Sequence, residues 1–411
     1  MTKNSTKKIP RLRFKGFEGE WEEKKLGDVS LVFDGVHQTP KYKNNGIPFM
    51  SVENLKTLST QKYISKDAFE NDFKNNKPQK GDILMSRIGS IGEDNIIKDD
   101  SPVAFYVSLA SIRPQKRTVS SFYLLYLIRS PKFQNELWRR TLHVAFPKKI
   151  NKNEISKIKA TFPNLNEQQK IGSFFAKLDQ LINLQSKKVE QLKKLKRGYL
   201  QKMFPQKGES IPRLRFDGFS GEWERHILKD VISKIIDNRG KTPSHSSSGK
   251  YPIIEVNCLG NFQINYENIS KYVNDFTYHN FFRSYLTKND ILFSTVGKTG
   301  IVSIMGDDKN AVIAQNIIGM RFKSNFYDPF VYYMFNQLDN FHKAKRIEMG
   351  AVQPSIKVSQ LVKLSYLFPN LLEQKRIFFI LNNIDRLINY ENLKIKELIK
   401  LKKSYLQKMF C

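Results

Sequence analysis

The 411-residue sequence predicts an α+β protein in which two similar globular domains are each followed by a long helix. Three observations lead to this fold class. Short motifs recur in the same order about 200 residues apart, which indicates a tandem repeat. The first part of each repeat contains both strand-like and helix-like runs, and the second part has the apolar spacing of one uninterrupted helix.

Four sequence motifs occur twice in the same order, at offsets of 202 to 208 residues. Over residues 9–29 and 211–231, 15 of 21 aligned residues are identical. The four motif pairs keep their order and nearly the same offset. The chain is therefore two copies of one unit, which differ by short insertions or deletions. The motifs are IPRLRFKGFEGEWE (9–22) with IPRLRFDGFSGEWE (211–224), GDILMSRIGSIG (81–92) with NDILFSTVGKTG (289–300), FPNLNEQQKI (162–171) with FPNLLEQKRI (368–377), and YLQKMF at 199–204 and 405–410.

Each repeat begins with a mixed globular region. Runs such as DILMSRI and DILFSTV, bounded by Gly, Pro, Asn and Asp, predict strands, and the aromatic-rich runs SFYLLYLIRS and DPFVYYMFNQL predict helices. Outside the repeated motifs the two copies diverge. We predict a disordered polar tail at residues 1–8, globular domains at 9–161 and 207–367, and helices at 162–206 and 368–411.

The helical part of each repeat lacks proline, and its apolar residues recur at three- and four-residue spacing. Polar residues interrupt both seams at equivalent places, a coiled-coil pattern that fixes register. We therefore predict that the helices pair with each other; the alternative is that each packs only on its own domain. The interrupting residues are Gln185, Lys196, Glu391 and Lys402. The predicted helix-pair or partner interface is Leu178, Ile182, Val189, Leu192, Tyr199, Ile384, Ile388, Ile395, Leu398 and Tyr405.

The chain carries 69 Lys and Arg residues against 39 Asp and Glu residues, a formal net charge of +30. An excess of this size attracts polyanions, most simply nucleic acid, with binding that weakens steeply as salt rises. The alternative is a lysine-rich surface that serves only solubility, but so large a charge also repels itself. We therefore predict a nucleic-acid partner.

The two cysteines, Cys258 and Cys411, are too few for a four-cysteine zinc site. We expect free thiols in a reducing compartment. No apolar run approaches the roughly 20 residues of a membrane span. The start MTKNSTKK lacks the apolar core of a signal peptide. These features predict a soluble cytoplasmic protein without a membrane partner.

Signatures of catalysis are incomplete in this sequence. GKT occurs at 240–242 and 297–299, but Ile235 and Leu292 replace the glycine that a phosphate-binding loop needs five residues earlier. DPF at 328–330 lacks one proline of the adenine-methylase tetrapeptide, and no glycine-rich cofactor loop precedes it. The six histidines have no metal-ligand spacing. We predict a binding protein without a catalytic site, metal or cofactor of its own.

Two divergent globular domains, each followed by a similar helix that a Pro-x-x-x-Glu-Gln motif introduces, resemble the specificity subunit of type I restriction–modification systems. The motif is PNLNEQ at 163–168 and PNLLEQ at 369–374. The doubled IPRLRF…GEWE, GDIL/NDIL and YLQKMF motifs extend the resemblance over the whole chain.

This resemblance implies that each globular domain is a target-recognition domain that reads one half of a bipartite double-stranded DNA site. It also implies that the helices pack as an antiparallel coiled coil, hold the domains apart and dock two modification (methyltransferase) subunits. Restriction (translocase–nuclease) subunits would complete an ATP-dependent restriction enzyme. S-adenosylmethionine, ATP and magnesium would be bound by those partners, in the bacterial cytoplasm at the nucleoid.

The helix length is compatible with this layout. A helix of about 39 residues is roughly 58 Å long at ~1.5 Å per residue. Half-sites on one face of DNA lie ~34–36 Å apart for each helical turn, so such helices could hold two readers a turn or more apart. Because the two domains differ in sequence, we expect the half-sites to differ, which gives an asymmetric split site.

Base reading requires side chains that present paired donors or acceptors, Arg or Lys for guanine and Asn or Gln for adenine. For each candidate the alternative is a solvated charge or a turn residue. The candidates are His37, Gln38, Lys41, Lys43, Asn54, Arg87 and Lys148 in the first domain, and Arg239, Lys241, His245, Asn257, Lys298, Gln315 and Gln353 in the second. The predicted phosphate contacts, which position without specifying sequence, are Arg139, Arg140, Lys343, Lys345 and Arg346.

Residues that are identical in both copies are poor candidates for reading different bases. We expect the arginines of IPRLRF to dock the domain onto the helix pair or a partner. We expect Trp21 and Trp223 to anchor the same segment by packing, and Asp82 and Asp290 to have a turn or capping role rather than a catalytic one.

Two other functions stay open at this point. A stand-alone DNA-binding regulator or architectural protein would bind a specific sequence tightly without any modification subunit. A nuclease with an unrecognised site would cut DNA when only a metal ion is added.

Overall fold

The computed structural model describes residues 8–238, 243–307 and 310–411. The chain forms two compact units. Unit 1 comprises Met1–Lys187 with Asn392–Cys411, and unit 2 comprises Lys188–Glu391. Both boundaries fall inside the long helices, so each unit contains one globular region and part of each helix. The domain boundaries proposed from the sequence follow another criterion and stay a prediction.

The globular region of unit 1 precedes the first long helix. A 3-10 turn lies at Val52–Asn54. The elements are β1 (Glu22–Lys25), α1 (Leu26–Val29), β2 (Ser30–Asp34), β3 (Ile47–Met50), β4 (Tyr63–Ile64), α2 (Lys66–Asp72), β5 (Ile83–Ser86), β6 (Asp94–Ile96), β7 (Ala104–Phe105), β8 (Leu109–Pro114), α3 (Ser121–Ile128), α4 (Pro131–Arg140), α5 (Lys152–Ser156), β9 (Lys159–Phe162) and α6 (Leu165–Lys202).

Three small sheets organise this region. An antiparallel sheet has the order β2-β8-β5-β6, and a second sheet has the order β4-β3-β7 with β3 and β7 parallel. Strand β1 pairs antiparallel with β9, Glu22 opposite Phe162, and so joins the two ends of the globular region. The predicted α+β class is confirmed.

Unit 2 repeats this topology in its own sheets, β11-β17-β14-β15, β13-β12-β16 and β10-β20. It adds a hairpin of β18 and β19, and 3-10 turns lie at Val256–Cys258 and Tyr266–Asn268. The elements are β10 (Glu224–Ile227), α7 (Leu228–Val231), β11 (Ile232–Ile236), β12 (Tyr251–Ile254), β13 (Tyr272–Val273), α8 (Asp275–Phe281), β14 (Ile291–Ser294), β15 (Val302–Ile304), β16 (Val312–Ile313), β17 (Ile317–Phe322), α9 (Asp328–Asn336), α10 (Leu338–Lys345), β18 (Glu348–Met349), β19 (Ser355–Ile356), α11 (Val358–Leu361), β20 (Ser365–Phe368) and α12 (Leu371–Lys408).

The apolar runs of the sequence form the core of each unit. Strands β5 and β14 are buried along their whole length, and so are six of the eight residues of α3. The YLQKMF motif completes both cores: Phe410 lies 5.5 Å from Tyr123, and Phe204 stacks on Phe330 at 5.4 Å, between ring centroids. The repeated tail therefore closes a globular core in addition to ending a helix.

The aspartates of the GDIL and NDIL motifs cap turns. Asp82 Oδ2 accepts a hydrogen bond from Gln79 N at 3.1 Å, and Arg113 Nη2 donates to the same oxygen at 2.8 Å. In unit 2, Arg321 binds both oxygens of Asp290 at 2.8 Å. Both carboxylates are buried beneath their arginines. The predicted structural role of Asp82 and Asp290 is confirmed.

The Pro-x-x-x-Glu-Gln motif fastens the start of each long helix to its globular region. Asn164 Oδ1 accepts from Glu167 N at 2.9 Å, the geometry of a helix N-cap. Gln168 then donates to Thr118 O at 3.0 Å and accepts from Ser120 N at 3.1 Å. The second copy has the same cap and the same glutamine contact to the loop before α9.

The repeated segment at residues 9–22 and 211–224, called here the leading segment, docks on this helix start. Arg13 binds both carboxylate oxygens of Glu167, at 2.6 and 2.7 Å, and Arg215 binds Glu373 at 2.9 and 2.8 Å. Trp21 and Trp223 are buried in the cores, with ring centroids 6.2 Å from Tyr123 and 6.0 Å from Phe330. The predicted docking role is confirmed for Arg13 and Arg215, and the packing role for Trp21 and Trp223. Arg213 pairs with Glu209 instead, and Arg11 is exposed.

The two long helices pack against each other in each unit, and they run antiparallel. In unit 1, Lys402 Nζ lies 2.5 Å from Asp179 Oδ1. In unit 2, Lys196 Nζ lies 2.6 Å from Asp385 Oδ1. Lys196 and Lys402, which interrupt the two apolar seams, therefore form equivalent ion pairs between the helices. Glu391, a third interruption, is buried and pairs with Lys188.

The predicted seam residues lie on the inner faces of these helices. Leu178, Val189, Ile384 and Ile388 are buried, and Ile182, Leu192, Tyr199, Ile395, Leu398 and Tyr405 are partly buried. Tyr405 contacts Phe174 across the helix pair of unit 1, with ring centroids 5.2 Å apart.

Both cysteines are free thiols, Cys258 buried and Cys411 partly buried. Cys411 lies next to β9, where Thr161 Oγ1 donates a hydrogen bond to the carbonyl oxygen of Cys411 at 2.8 Å. Within the described residues, none of the helices combines the length and the apolar character that crossing a membrane would require.

We predict that Arg13→Ala lowers the stability of unit 1 by about 3–5 kcal/mol, because it leaves a buried carboxylate without its counter-charge. The Glu167 side chain is 0% exposed. Urea unfolding of the full chain measures the loss. Arg11→Ala is the matched control, since Arg11 is exposed and has no ion pair among the described residues. Equal losses for both variants would contradict the docking role.

Asp328, at the start of α9, gives unit 2 a defined pH dependence. Burial raises the pKa of this carboxyl to about 6. In the unfolded chain the pKa of an aspartate is about 4. Between about pH 4 and the folded-state pKa of about 6, the folded protein therefore keeps a proton that the unfolded chain has lost. Stability therefore falls as pH rises through this window.

We predict that Asp328→Asn removes this slope and gains stability relative to the wild type as pH rises from about 5 to 7. The asparagine Oδ1 can keep the hydrogen bond that Phe322 N donates at 3.2 Å. Thermal unfolding midpoints of both proteins across the pH range test this, and parallel curves would show that Asp328 does not titrate there.

Candidate nucleic-acid interface

In each unit a central strand of the four-stranded sheet leads into a glycine turn, residues 87–92 after β5 and 295–300 after β14. Gly89 and Gly92 have left-handed φ values of +83° and +87°, which disfavour any side chain. Ser86 Oγ accepts a backbone N–H from across the turn at 2.9 Å, and Ser294 Oγ accepts one from Ile301 at 2.8 Å. The repeated GDIL/NDIL motif thus builds the same turn twice.

A hairpin lies against each glycine turn. These are the tip hairpins, residues 142–149 in unit 1 and 348–355 in unit 2. Gly89 N donates to Lys148 O at 2.8 Å, and Gly297 N donates to Pro354 O at the same distance. In both units the glycine turn therefore holds the tip hairpin in place through backbone bonds that do not depend on side-chain identity.

Asp34, at the end of β2, joins three segments of unit 1. Arg87 Nε lies 3.1 Å from its Oδ1, and Lys152 Nζ and His37 Nε2 lie 3.6 and 3.8 Å from its Oδ2. The loop after β2, the glycine turn and the start of α5 consequently meet around one carboxylate. With Lys148 on the tip hairpin, this brings predicted residues from separate parts of the sequence onto one surface.

Arg87 itself is largely buried, with 8% of its surface exposed. Besides Asp34, its Nη1 donates to Ile150 O at 3.0 Å. A guanidinium held by two internal partners has to leave them to reach a base. In the described conformation Arg87 supports the loops, and its base-reading role stays a prediction.

The residue of unit 2 that is equivalent to Arg87 has different chemistry. Thr295 occupies the position of Arg87 and is fully buried. Thr295 N donates to Asn316 O at 2.8 Å, and in the described part of the chain Thr295 Oγ1 and Asn316 Oδ1 have no hydrogen-bond partner. The predicted readers Arg239 and Lys241 lie outside the described residues.

Two predicted readers lie in equivalent 3-10 turns, away from the glycine turns. Asn54 Oδ1 accepts from Ser51 N and its Nδ2 donates to Ser59 O, both at 3.0 Å. Asn257 Nδ2 donates to Asn268 O at 3.4 Å. Both amides hold their own loops, so reading a base would require these bonds to open.

The remaining predicted readers are accessible to a ligand. We find them exposed in loops around the glycine turns and tip hairpins or in the loops after β2 and β11. They are His37, Gln38, Lys41, Lys43 and Lys148 in unit 1, and His245, Lys298, Gln315 and Gln353 in unit 2.

The predicted phosphate contacts are engaged to different degrees. Arg139 pairs with Glu136 at 2.8 Å, and Arg140 with Glu154 at 3.0 Å. Lys345 Nζ donates to Thr299 Oγ1 at 2.9 Å. Lys343 is half-buried: desolvation lowers its pKa and its Nζ donates to Ser365 O at 2.8 Å. Arg346 is exposed.

Three apolar residues of the tip hairpins are almost fully exposed. Val144 and Phe146 are 98% and 104% exposed, and Val352 is 100% exposed. The segment AFPKK, without strand or helix periodicity and rich in lysine, could have indicated a surface loop.

Comparison with known proteins places this frame in a family. The model for the type I restriction modification DNA specificity domain matches residues 18–194 and 220–401, one match for each repeat. The chain therefore belongs to the family of type I restriction–modification specificity subunits.

The chain is also similar to individual specificity subunits from an archaeon and a bacterium. The chain is 27% identical to the putative type I restriction enzyme MjaX specificity subunit of Methanocaldococcus jannaschii, over 93% of this chain and 91% of that one. It is 26% identical to the EcoBI specificity subunit of Escherichia coli over 47% of this chain and 41% of that one. The crystal structure of the M. genitalium S subunit has the same fold, with a TM-score of 0.61, 14% identity, and coverage of 98% and 99%.

We predict that Lys148→Ala weakens binding to all DNA duplexes about equally and lowers the slope of log K against log salt by about 1. Lys148 is a base-reading candidate from its sequence, but its ammonium is exposed on the tip hairpin and can neutralise a phosphate without reading sequence. Titrations of random-sequence duplex at several salt concentrations measure both effects. The control is Lys159→Ala, a lysine paired with Glu23 on the β1–β9 sheet, which should leave the slope unchanged. A change of sequence preference in Lys148→Ala would make Lys148 a base reader instead.

Proposed function

We propose that each unit of this specificity subunit reads one half of a bipartite, asymmetric DNA site. The observation that carries the proposal is that the two units share the same backbone framework but have different side chains at equivalent positions. The exposed Ser90 corresponds to the exposed Lys298 in glycine turns with the same backbone bonds, and beneath them the buried Arg87 corresponds to the buried Thr295. A repeated scaffold with divergent exposed loops is the arrangement expected for two readers that recognise different base sequences.

We further propose that the paired helices separate the two readers and dock two modification subunits. Each helix has 38 residues, roughly 57 Å at 1.5 Å per residue, more than one turn of DNA. Large apolar side chains stay exposed on the helices outside the seam, which supports a docking surface. Examples are Leu184 at 54%, Phe379 at 57% and Leu393 at 59% exposed.

In this proposal the chain directs chemistry that its partners perform. Modification subunits would supply S-adenosylmethionine and methylate adenine, and restriction subunits would supply ATP- and magnesium-dependent cleavage. The relatives named as restriction enzyme specificity subunits support this division. The complex would act on the cytoplasmic nucleoid, where a chain of net charge +30 is attracted to DNA.

Sequencing of methylated adenines in single DNA molecules from the host tests the proposal. We expect one split, asymmetric motif that disappears when this chain is deleted. Lys298→Ser, which gives the second glycine turn the residue found at Ser90, should change the bases of one half-site only. Methylation that survives the deletion would contradict the proposal.

The two other functions make different predictions for the purified chain. Tight, sequence-specific binding in the absence of modification subunits would favour a stand-alone regulator. Cleavage of DNA by the chain with a metal ion alone would establish a nuclease.

A further inference from the structure

The tip hairpin of unit 1 projects apolar side chains into solvent. Phe146 and Val144 have no covering contact among the described residues, and both are at least 98% exposed. Leaving a phenylalanine in water forgoes the burial that normally stabilises it. The hairpin nevertheless keeps this position. Leu142 N donates a backbone hydrogen bond to Lys149 O at 2.8 Å, and the glycine turn binds the hairpin through Gly89 N.

The surroundings of this tip are strongly cationic. Between Glu136 and Glu154 the chain contains five cations and no acidic residue. They are Lys148 and Lys149, which have no ion pair among the described residues, and Arg139, Arg140 and Lys152, which pair with Glu136, Glu154 and Asp34. Such a border suits a polyanion better than a protein surface of mixed charge, since each lysine can neutralise a phosphate.

Unit 2 repeats the feature with another residue. Val352 stands 206 positions after Phe146, at the same place in its tip hairpin, and is 100% exposed. Pro354 O binds Gly297 N there just as Lys148 O binds Gly89 N. Full exposure of an apolar side chain at equivalent positions is hard to attribute to the local sequence, because the two hairpins share almost no residues.

We propose that each tip hairpin enters a groove of the DNA duplex and presses its exposed apolar residue against the bases. Phe146 stacks on a base at a partly unstacked step, as apolar wedges do in DNA-bending proteins. Val352 is too short and lacks a ring, so it contacts a base edge such as a thymine methyl group without unstacking. This inference rests on the proposed DNA-reading function and adds an apolar, shape-dependent component to it.

The experiment uses the full chain in complex with its modification subunits and a duplex that carries the methylated motif. 2-Aminopurine, an adenine analogue whose fluorescence rises on unstacking, replaces in turn each adenine in or next to the half-sites, on either strand, except the methylated adenine, which has its own flipping signal. The variants are Phe146→Ala, Phe146→Leu and Val352→Ala. The control is Phe276→Ala, an equally drastic change at a 75% exposed phenylalanine on α8.

We expect one step in a single half-site to brighten with the wild-type complex. Phe146→Ala should abolish that signal and weaken binding about 5- to 150-fold, the range for loss of one stacked aromatic. Phe146→Leu should retain part of both, and Val352→Ala should weaken binding less without altering fluorescence. Phe276→Ala should match the wild type.

Unchanged affinity and unchanged fluorescence in Phe146→Ala, with sequence-specific binding intact, would overturn the wedge while leaving the proposed function in place. Loss of modification-subunit assembly in Phe146→Ala, measured by size-exclusion chromatography without DNA, would also overturn it by making the hairpin a protein-docking element. A wild-type complex that selects no sequence would refute the proposed function, and this inference with it.

Discussion

A buried carboxylate beneath an arginine is the interaction on which each unit depends. Glu167 and Glu373 lie in the first turn of a long helix, where the helix dipole favours negative charge, and the arginine of the leading segment neutralises each of them. The pair ties the beginning of the globular region to the beginning of the helix. The adjacent glutamine binds the loop before α3 in unit 1 and the loop before α9 in unit 2, so the same joint also positions the globular region.

The repeated frame and the varied surface follow from different physical demands. Backbone bonds and buried pairs make the glycine turns, the Asp82 and Asp290 caps and the helix starts nearly identical in both units. Side chains that these bonds do not involve are free to differ. Exposed loop residues such as Ser90 and Lys298 can therefore differ without changing how the protein folds, because the bonds that hold the loops do not involve their side chains.

The sequence predicted the frame well because internal repetition marks residues with a shared structural role. Arg13 and Asp82 were identified in this way, and the helix seam followed from its spacing. The surface was harder to predict. Arg87 has the chemistry of a base reader, but its burial depends on Asp34, a residue distant in sequence that no local pattern connects to it. Phe146 belongs to a residue type that is usually buried, and only the tertiary structure shows that its hairpin points outward.

The division of the long helices between the units has a consequence for synthesis. Unit 2 is one continuous stretch of chain, whereas unit 1 needs Asn392–Cys411, whose Phe410 fills the space beside Tyr123. During translation the first globular region therefore emerges early but waits with an unfilled core until the second has been made. Domains commonly fold in the order in which they leave the ribosome. Here the amino-terminal unit is the last to be completed, because the ring that packs beside Tyr123 is made after the whole of unit 2.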